Sequence, residues 1–269
     1  AGRVRRLVGQ VARARKAGHE VVVVTSGAVG AGMEALGLER MPGRLEDLQA
    51  CAAVGQSRLM AVYQEMFGAA GLRVGQVLLT HDDLAHHDRH LNARNTLMAL
   101  LDRGIVPIIN ENDAVSFTEL TVGDNDRLSA LVAALLPTDL LVVLTTAEGV
   151  VRNFGKPNAR LISTVRKIDG SIRRHARGTQ SRTSIGGMAS KLDAAETAMR
   201  SGIPMVIASG TRGGTLAKIL KGEKVGTLFM PAERMKGRKR WIAFFHHPKG
   251  TLVVDDGAKE ALRKRGKSL

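Results

Sequence analysis

Short apolar runs that end in turn residues recur along the chain: EVVVVTSG (20–27), RVGQVLLT (73–80), GIVPIINEND (104–113), DLLVVLTTAEG (139–149), GIPMVIASG (202–210) and VGTLFMP (225–231). Most are rich in β-branched residues, which pack well on a pleated surface, so each run predicts a strand. Between them apolar residues return every three or four positions, as in RVRRLVGQVARARKAG (3–18), LQACAAVGQSRLMAVYQEMFGAAG (48–71), NARNTLMALLDRG (92–104), DRLSALVAALL (126–136) and GGMASKLDAAETAMRSG (186–202). That spacing gathers the apolar groups on one helical face. Strands alternating with helices predict an α/β fold, with a mostly parallel sheet covered by helices on both faces.

Ligands of such sheets bind beyond the carboxyl ends of the strands, so the residues that follow each apolar run are the candidates for chemistry. They are Thr25-Ser26-Gly27, Asn110-Glu111-Asn112-Asp113, Thr145-Thr146 and Ser209-Gly210. The first of these belongs to VVVVTSGAVGAG (21–32), where four valines run into three glycines. Glycines there open the backbone to close approach by a ligand, and a helix starting nearby turns unpaired N–H groups toward it. The GxxGxG spacing is not the dinucleotide fingerprint, and TSGA is not the G-x-S-x-G nucleophile elbow.

Composition narrows the classes. The chain has 269 residues, 44% of them hydrophobic, enough for a sizeable core. No uncharged apolar run approaches the roughly 18 residues that span a bilayer, and the N-terminal AGRVRRLVGQVARARKAG lacks the apolar region of a signal peptide. A cytoplasmic location without a membrane partner is expected. The single cysteine, Cys51, has no intramolecular disulfide partner and lies in an alanine-rich helical pattern, so a buried structural thiol is expected. The net charge of +15 points to nucleic acid, anionic membrane or phosphate-bearing ligands without choosing among them. Basic residues concentrate in 166–182, 235–241 and 259–269, but aromatics at 3% leave little for base stacking, so a solvated basic face is expected rather than a nucleic-acid partner. A change in composition near Pro231 divides the chain into 1–233 and 234–269, the second too short to enclose its own core.

The densest polar constellation is INENDAVSFTELTVGDNDRLSALVAAL (109–135). Asp113 follows a strand end, and Asp124-Asn125-Asp126 precedes a helical pattern, where short polar side chains are favoured caps. Together they offer acceptors for an ammonium and donors for a carboxylate, which suits a zwitterion such as an amino acid, and carboxylates there could also hold Mg²⁺ through water. A second glycine turn, Ser184-Ile185-Gly186-Gly187-Met188-Ala189-Ser190-Lys191, opens a helix and sets a lysine one turn in. Backbone amides and the helix dipole there suit a nucleotide's phosphates, although the Walker spacing GxxxxGK[ST] is absent. In THDDLAHHDRHLNARN (80–95), His86 and His90 stand at helical i, i+4 spacing with Asp82 near, but no third ligand has a place and no metal site is expected.

Taken together, VVVVTSGAVGAG, LQACAAVGQSRLM, QVLLTHDDL, LNARNTL, VPIINENDAVS, GDNDRLSALVA, GGMASKLDAA, GIPMVIASG and GTLFMP closely resemble the glutamate 5-kinase family of amino acid kinases, which starts proline synthesis. The resemblance implies a three-layer α/β sandwich over 1–233 and attack of the γ-carboxylate of L-glutamate on Mg²⁺-ATP, giving glutamyl 5-phosphate and ADP. It implies Ser26, Asp113 and Asn125 as glutamate-binding residues with Gly27 supplying backbone, and Asp126 as the group that orients catalytic lysines. Ile185, Gly186, Gly187, Met188, Ala189, Ser190 and Lys191 would form the nucleotide-phosphate turn, Lys191 stabilising the transferring phosphate, with Thr145 and Thr146 at the nucleotide-contacting strand end. It further implies a homo-oligomer, a dimer or a tetramer, and proline as a feedback inhibitor.

The chain departs from the family pattern at three places. A first strand carrying K-x-G-[ST] would precede Gly2. Thr146 stands where the family usually has Asp, and Ile185 where it usually has Thr. Residues 234–269 resemble a linker and the beginning of an RNA-binding-like PUA domain. Two other readings follow: a related kinase acting on another small carboxylate, and a basic RNA-binding protein with an inactive kinase domain.

Overall fold

The computed structural model describes residues 2–115, 124–176, 187–231, 255–257 and 260–261, so the basic segment 235–241 and most of 234–269 lie outside the described residues. Along the chain come α1 (Gly2–Lys16), β1 (Val23–Val24), α2 (Ala28–Ala35), α3 (Leu45–Ala69), β2 (Val74–Leu79), α4 (His81–Ala85), α5 (His87–Asp102), β3 (Val106–Glu111), α6 (Asp124–Leu135) and β4 (Leu141–Thr145). There follow β5 (Val151–Arg152), β6 (Arg160–Leu161), β7 (Thr164–Val165), α7 (Gly170–Ala176), α8 (Met188–Arg200), β8 (Met205–Ser209), α9 (Thr215–Leu220) and β9 (Thr227–Phe229).

The six apolar runs become β1, β3, β2, β4, β8 and β9, in two blocks of sheet ordered β1-β3-β2 and β4-β8-β9-β7. The first block is wholly parallel; in the second only β9 runs antiparallel to its neighbour β8. β3 is the middle strand although it contains Pro107, which has no N–H to give. It pairs with β2 along all six residues, while β1 joins only at Ile108 and Ile109, past the proline.

Alternation along β3 divides the core. Ile108 faces α1 and α3 with Val8, Val11, Tyr63 and Phe67, whereas Ile109 faces α5 and α6 with Leu97, Leu128 and Leu131. The second block is covered in the same way: Ile207 and Met205 meet α8 through Leu192 and Ala195, and Val206 and Ala208 meet Ile219 of α9. Each block is thus a sheet between two helical layers, the α/β sandwich expected from the alternation. α6 belongs to both, packing against β1 and β3 on one side and against β4 and α8 on the other. Two ties between remote segments reinforce the join: α1 lies along α9, and Gln10, buried on α1, accepts the Leu216 N–H at 2.9 Å.

Boundaries differ from the periodic pattern mainly where polar residues take part. The helix over 92–104 begins earlier, at His87, and the one over 48–71 begins at Leu45. α6 starts at Asp124, which puts Asn125 and Asp126 inside its first turn instead of ahead of it. β1 is two residues long within an apolar run of eight, because in this register Val22 would stand opposite Pro107, which has no N–H to give. Cys51 is buried and free, as a structural thiol should be.

Candidate active site

The end of β1 is fixed before it turns. The Thr25 N–H donates to the Ile109 carbonyl at 2.8 Å, extending the pairing with β3, and the Thr25 hydroxyl shares a 2.7 Å hydrogen bond with the buried Tyr63 hydroxyl of α3. Burial pushes the Tyr63 phenol above its ordinary range, partly opposed by the bond to Thr25, so it remains a neutral anchor at physiological pH. Ser26 and Gly27 follow, both exposed. Gly27 caps α2 with φ 108°, a left-handed conformation that costs a side-chain-bearing residue about 1–2 kcal/mol.

The later glycine Gly32 has another use. A Cβ on Gly32 would collide with the carbonyl of Cys51, and one on Gly55 with the carbonyl of Ala28. α2 and α3 therefore lie backbone against backbone, and this contact seats the turn that carries Ser26.

Beside it is a cavity of about 240 Å³, lined by Ala28, Ala52, Gln56, Ser57, Gln76 and Asp113 among others. The Asn110 side-chain amide donates to Gln56 Oε1 at 2.8 Å, which leaves Asn110 Oδ1 and Gln56 Nε2 buried without hydrogen-bond partners among the described residues. A buried donor and a buried acceptor left open are costly unless a ligand meets them. With the Asp113 carboxylate on the wall, the chemistry suits a small zwitterion. Glu111, on the opposite face of β3 from Asn110, is buried 3.7 Å from His81 Nδ1. Gln56 and Tyr63 escaped the sequence reading because they sit mid-helix, with no strand end or glycine turn to mark them.

The second sheet block ends in the nucleotide candidates. Thr145 stands opposite Ser209 in the register of β4 and β8, and the Gly210 N–H donates to the Thr145 carbonyl at 2.8 Å. Thr146 is exposed immediately beyond. Gly187 caps α8 in extended conformation, and among the described residues a Cβ placed on it would meet nothing closer than the Ala189 nitrogen at 4.0 Å. From there Met188 enters the core, Ala189 faces solvent, Ser190 is half-buried and Lys191 is buried. Ile185 and Gly186 lie outside the described residues.

α6 closes the gap between these two sides. Lys191 Nζ lies 3.0 Å from Asp126 Oδ2, with both side chains largely buried. Ser190 Oγ donates to the same oxygen at 2.7 Å. A buried ammonium needs such a counter-charge, and Asp126 supplies it from the first turn of α6. Asn125, one residue earlier, holds a buried Oδ1 without a partner among the described residues. The structure thus joins Asp126, Ser190 and Lys191 directly and puts Asn125 next to them in the chain. Asp113 borders the cavity, which Ala28 ties to the Ser26-Gly27 turn.

His86 and His90 do not share a helical face. α4 ends at Ala85, and His86 is extended, its Nδ1 at 2.8 Å from the Asp82 carbonyl, while buried His90 sets Nδ1 at 3.3 Å from the Leu84 carbonyl. Among the described residues, no three His, Cys, Asp or Glu side chains converge as a metal site would require, and no helix is long and apolar enough to cross a membrane.

Comparison with known proteins places this geometry. Residues 1–209 match the model of the amino acid kinase family. The chain is 49% identical to glutamate 5-kinase of Moorella thermoacetica, the alignment covering 100% of this chain and 72% of that protein. It is 45% identical to glutamate 5-kinase of Pelobacter propionicus, covering 100% and 73%. Among solved structures, carbamate kinase from Giardia lamblia bound to AMP-PNP superposes with a TM-score of 0.60 at 20% identity, covering 85% of this chain and 89% of that one. The isopentenyl phosphate kinase of T. acidophilum gives 0.56 at 17% identity, covering 84% and 89%. At such identities the two superpositions speak for the fold.

Proposed function

Since the chain belongs to the amino acid kinase family, and within it to the glutamate 5-kinases, we propose that it transfers the γ-phosphoryl group of ATP to the γ-carboxylate of L-glutamate, the step that commits glutamate to proline. The observation that carries this reading is the buried Lys191–Asp126 pair, which links the open glycine turn of α8 to the helix bearing Asn125.

Each residue then has a task. Ser26, the Gly27 backbone, Asp113 and Asn125 hold glutamate, the carboxylate of Asp113 facing its ammonium and the open Oδ1 of Asn125 accepting a further hydrogen bond. Gly187 to Lys191 receive the phosphates at the N-terminus of α8, and Thr145 and Thr146 border the nucleoside. The acceptor carboxylate is already ionised at neutral pH, so no strong base is needed. Catalysis rests on positioning and on neutralising charge, which Lys191 does at the oxygen bridging the β- and γ-phosphates. Bound Mg²⁺ would add charge neutralisation on the phosphates, arriving with the nucleotide.

The protein should release ADP only with both L-glutamate and Mg²⁺ present, and hydroxylamine should trap the acyl phosphate as a hydroxamate. Equal or faster turnover with aspartate or N-acetylglutamate overturns the choice of acceptor. Salt-sensitive RNA binding without ATP turnover would favour the inactive-domain reading. A homo-oligomer inhibited by proline belongs to the same proposal, checked by solution mass and by proline titration.

A further inference from the structure

Ser190 lies within the turn assigned to the nucleotide, yet its described bonds lead elsewhere. Its hydroxyl reaches two acceptors, Asp126 Oδ2 at 2.7 Å and the Gly187 carbonyl at 2.8 Å. A hydroxyl has one hydrogen to give. A carboxylate makes the stronger, charge-assisted acceptor, so the hydrogen goes mainly to Asp126, with the carbonyl of the glycine turn as the alternative.

Asp126 Oδ2 is then shared between Ser190 and the ammonium of Lys191, 3.0 Å away. A carboxylate with a single ammonium neighbour can rotate and close on it as a tight ion pair. Holding the same oxygen from a neighbouring residue of α8 fixes its direction and limits how far it draws the ammonium from the phosphate.

Resting on the phosphoryl-transfer reading above, we propose that Ser190 is a positioning residue: it holds Asp126 so that Lys191 stays aimed at the transferring phosphate, and it ties the glycine turn of α8 to α6. Its hydroxyl acts on the chemical step through Asp126 and not as a contact to the nucleotide, the phosphates being met by the backbone of the turn. Lys191 supplies the charge, and Ser190 sets where that charge stands.

The test is steady-state kinetics on Ser190→Ala, Ser190→Thr and their combinations with Asp126→Asn. Ser190→Ala should lower kcat about tenfold and leave the ATP KM within about twofold, the pattern of an interaction realised in the transition state. Ser190→Thr should restore kcat to within about threefold, because a helical threonine hydroxyl can occupy the same direction toward an i−3 carbonyl. In the Asp126→Asn background, Ser190→Ala should cost less than about twofold more, since no carboxylate remains to be held. A full tenfold loss in that background overturns the proposal, as does a raised ATP KM with unchanged kcat. The Ser190–Asp126 coupling is read independently by urea unfolding of the wild type, Ser190→Ala, Asp126→Asn and the protein carrying both substitutions, which requires no turnover. Additive shifts there reject the bond even if glutamate proves not to be the acceptor, whereas a wild-type protein inactive on glutamate but non-additive in unfolding rejects only the acceptor assignment.

Discussion

The two glycine turns of this protein look alike in sequence and are built for different reasons. The turn after β1 needs Gly27 for its backbone: φ is 108°, while a Cβ there would meet nothing within 4 Å among the described residues. The turn before α8 has Gly187 at φ −73°, which any residue adopts, and among the described residues nothing but the Ala189 nitrogen comes within 4.0 Å of a Cβ there, so its glycine serves clearance. The first turn is also locked from beneath by Gly32 and Gly55, where α2 and α3 touch through their main chains. The second is held by side chains, through Ser190, Lys191 and Asp126. One glycine signature therefore covers a conformational requirement, a packing requirement and a clearance requirement, and each responds to substitution in its own way.

The strongest way to break the contrast is Gly55→Ala. The new methyl collides with the Ala28 carbonyl and the Gly32 nitrogen, backbone atoms that cannot swing aside. A loss of about 3 kcal/mol is expected, the upper end for overpacking, read from the urea midpoint at constant slope. A loss below about 1 kcal/mol would mean that α2 and α3 are not in main-chain contact.

Lys191→Ala comes next and acts on rate. Removing a preorganised charge should lower kcat about a hundredfold, equivalent to about 2.7 kcal/mol, with a smaller change in the ATP KM. Arginine should restore little, because a planar fork does not replace a compact ammonium in a buried pair. Near-normal kcat in a folded Lys191→Ala protein would move the phosphate site elsewhere.

Gly27→Ala should cost about 1–2 kcal/mol through backbone strain alone and raise the glutamate KM while sparing that of ATP. An increase confined to ATP would show that the two turns have been assigned to the wrong substrates.

Gly187→Ala is the mildest. Its backbone tolerates a side chain, so stability should stay within about 0.5 kcal/mol while the ATP KM rises severalfold as the methyl enters the space over α8. A clear loss of stability with unchanged ATP KM would make this glycine structural and erase the contrast between the turns.

Much of this arrangement was legible along the chain. The alternation of apolar runs and helical faces is local information, and it placed Thr25 to Gly27, Asn110 to Asp113 and Thr145 at strand ends that the structure confirms as such. Helical spacing put Lys191 within the first turn of α8. Less legible were the joins. The break at His86 was hidden because Asp82 and Asp83 are as compatible with a continuous helix as with a short one whose start is capped by Thr80 and Asp83.

What the sequence determines by itself is which elements form and which polar groups stand at their ends, because propensity, periodicity and capping act over a few neighbouring residues. Which of those groups meet was decided only in three dimensions. Asn110 finds Gln56 across 54 residues, and Ser190 finds Asp126 across 64. Nothing near Gly55 in the sequence indicates that the Ala28 carbonyl will fill the space of its missing side chain. Local rules leave such pairs open, since a buried donor, a buried charge or a missing methyl can be met by many partners. The packing of α2 on α3 and of α6 on α8 selects one, because at interior density each void and each buried polar atom must be matched at the same time.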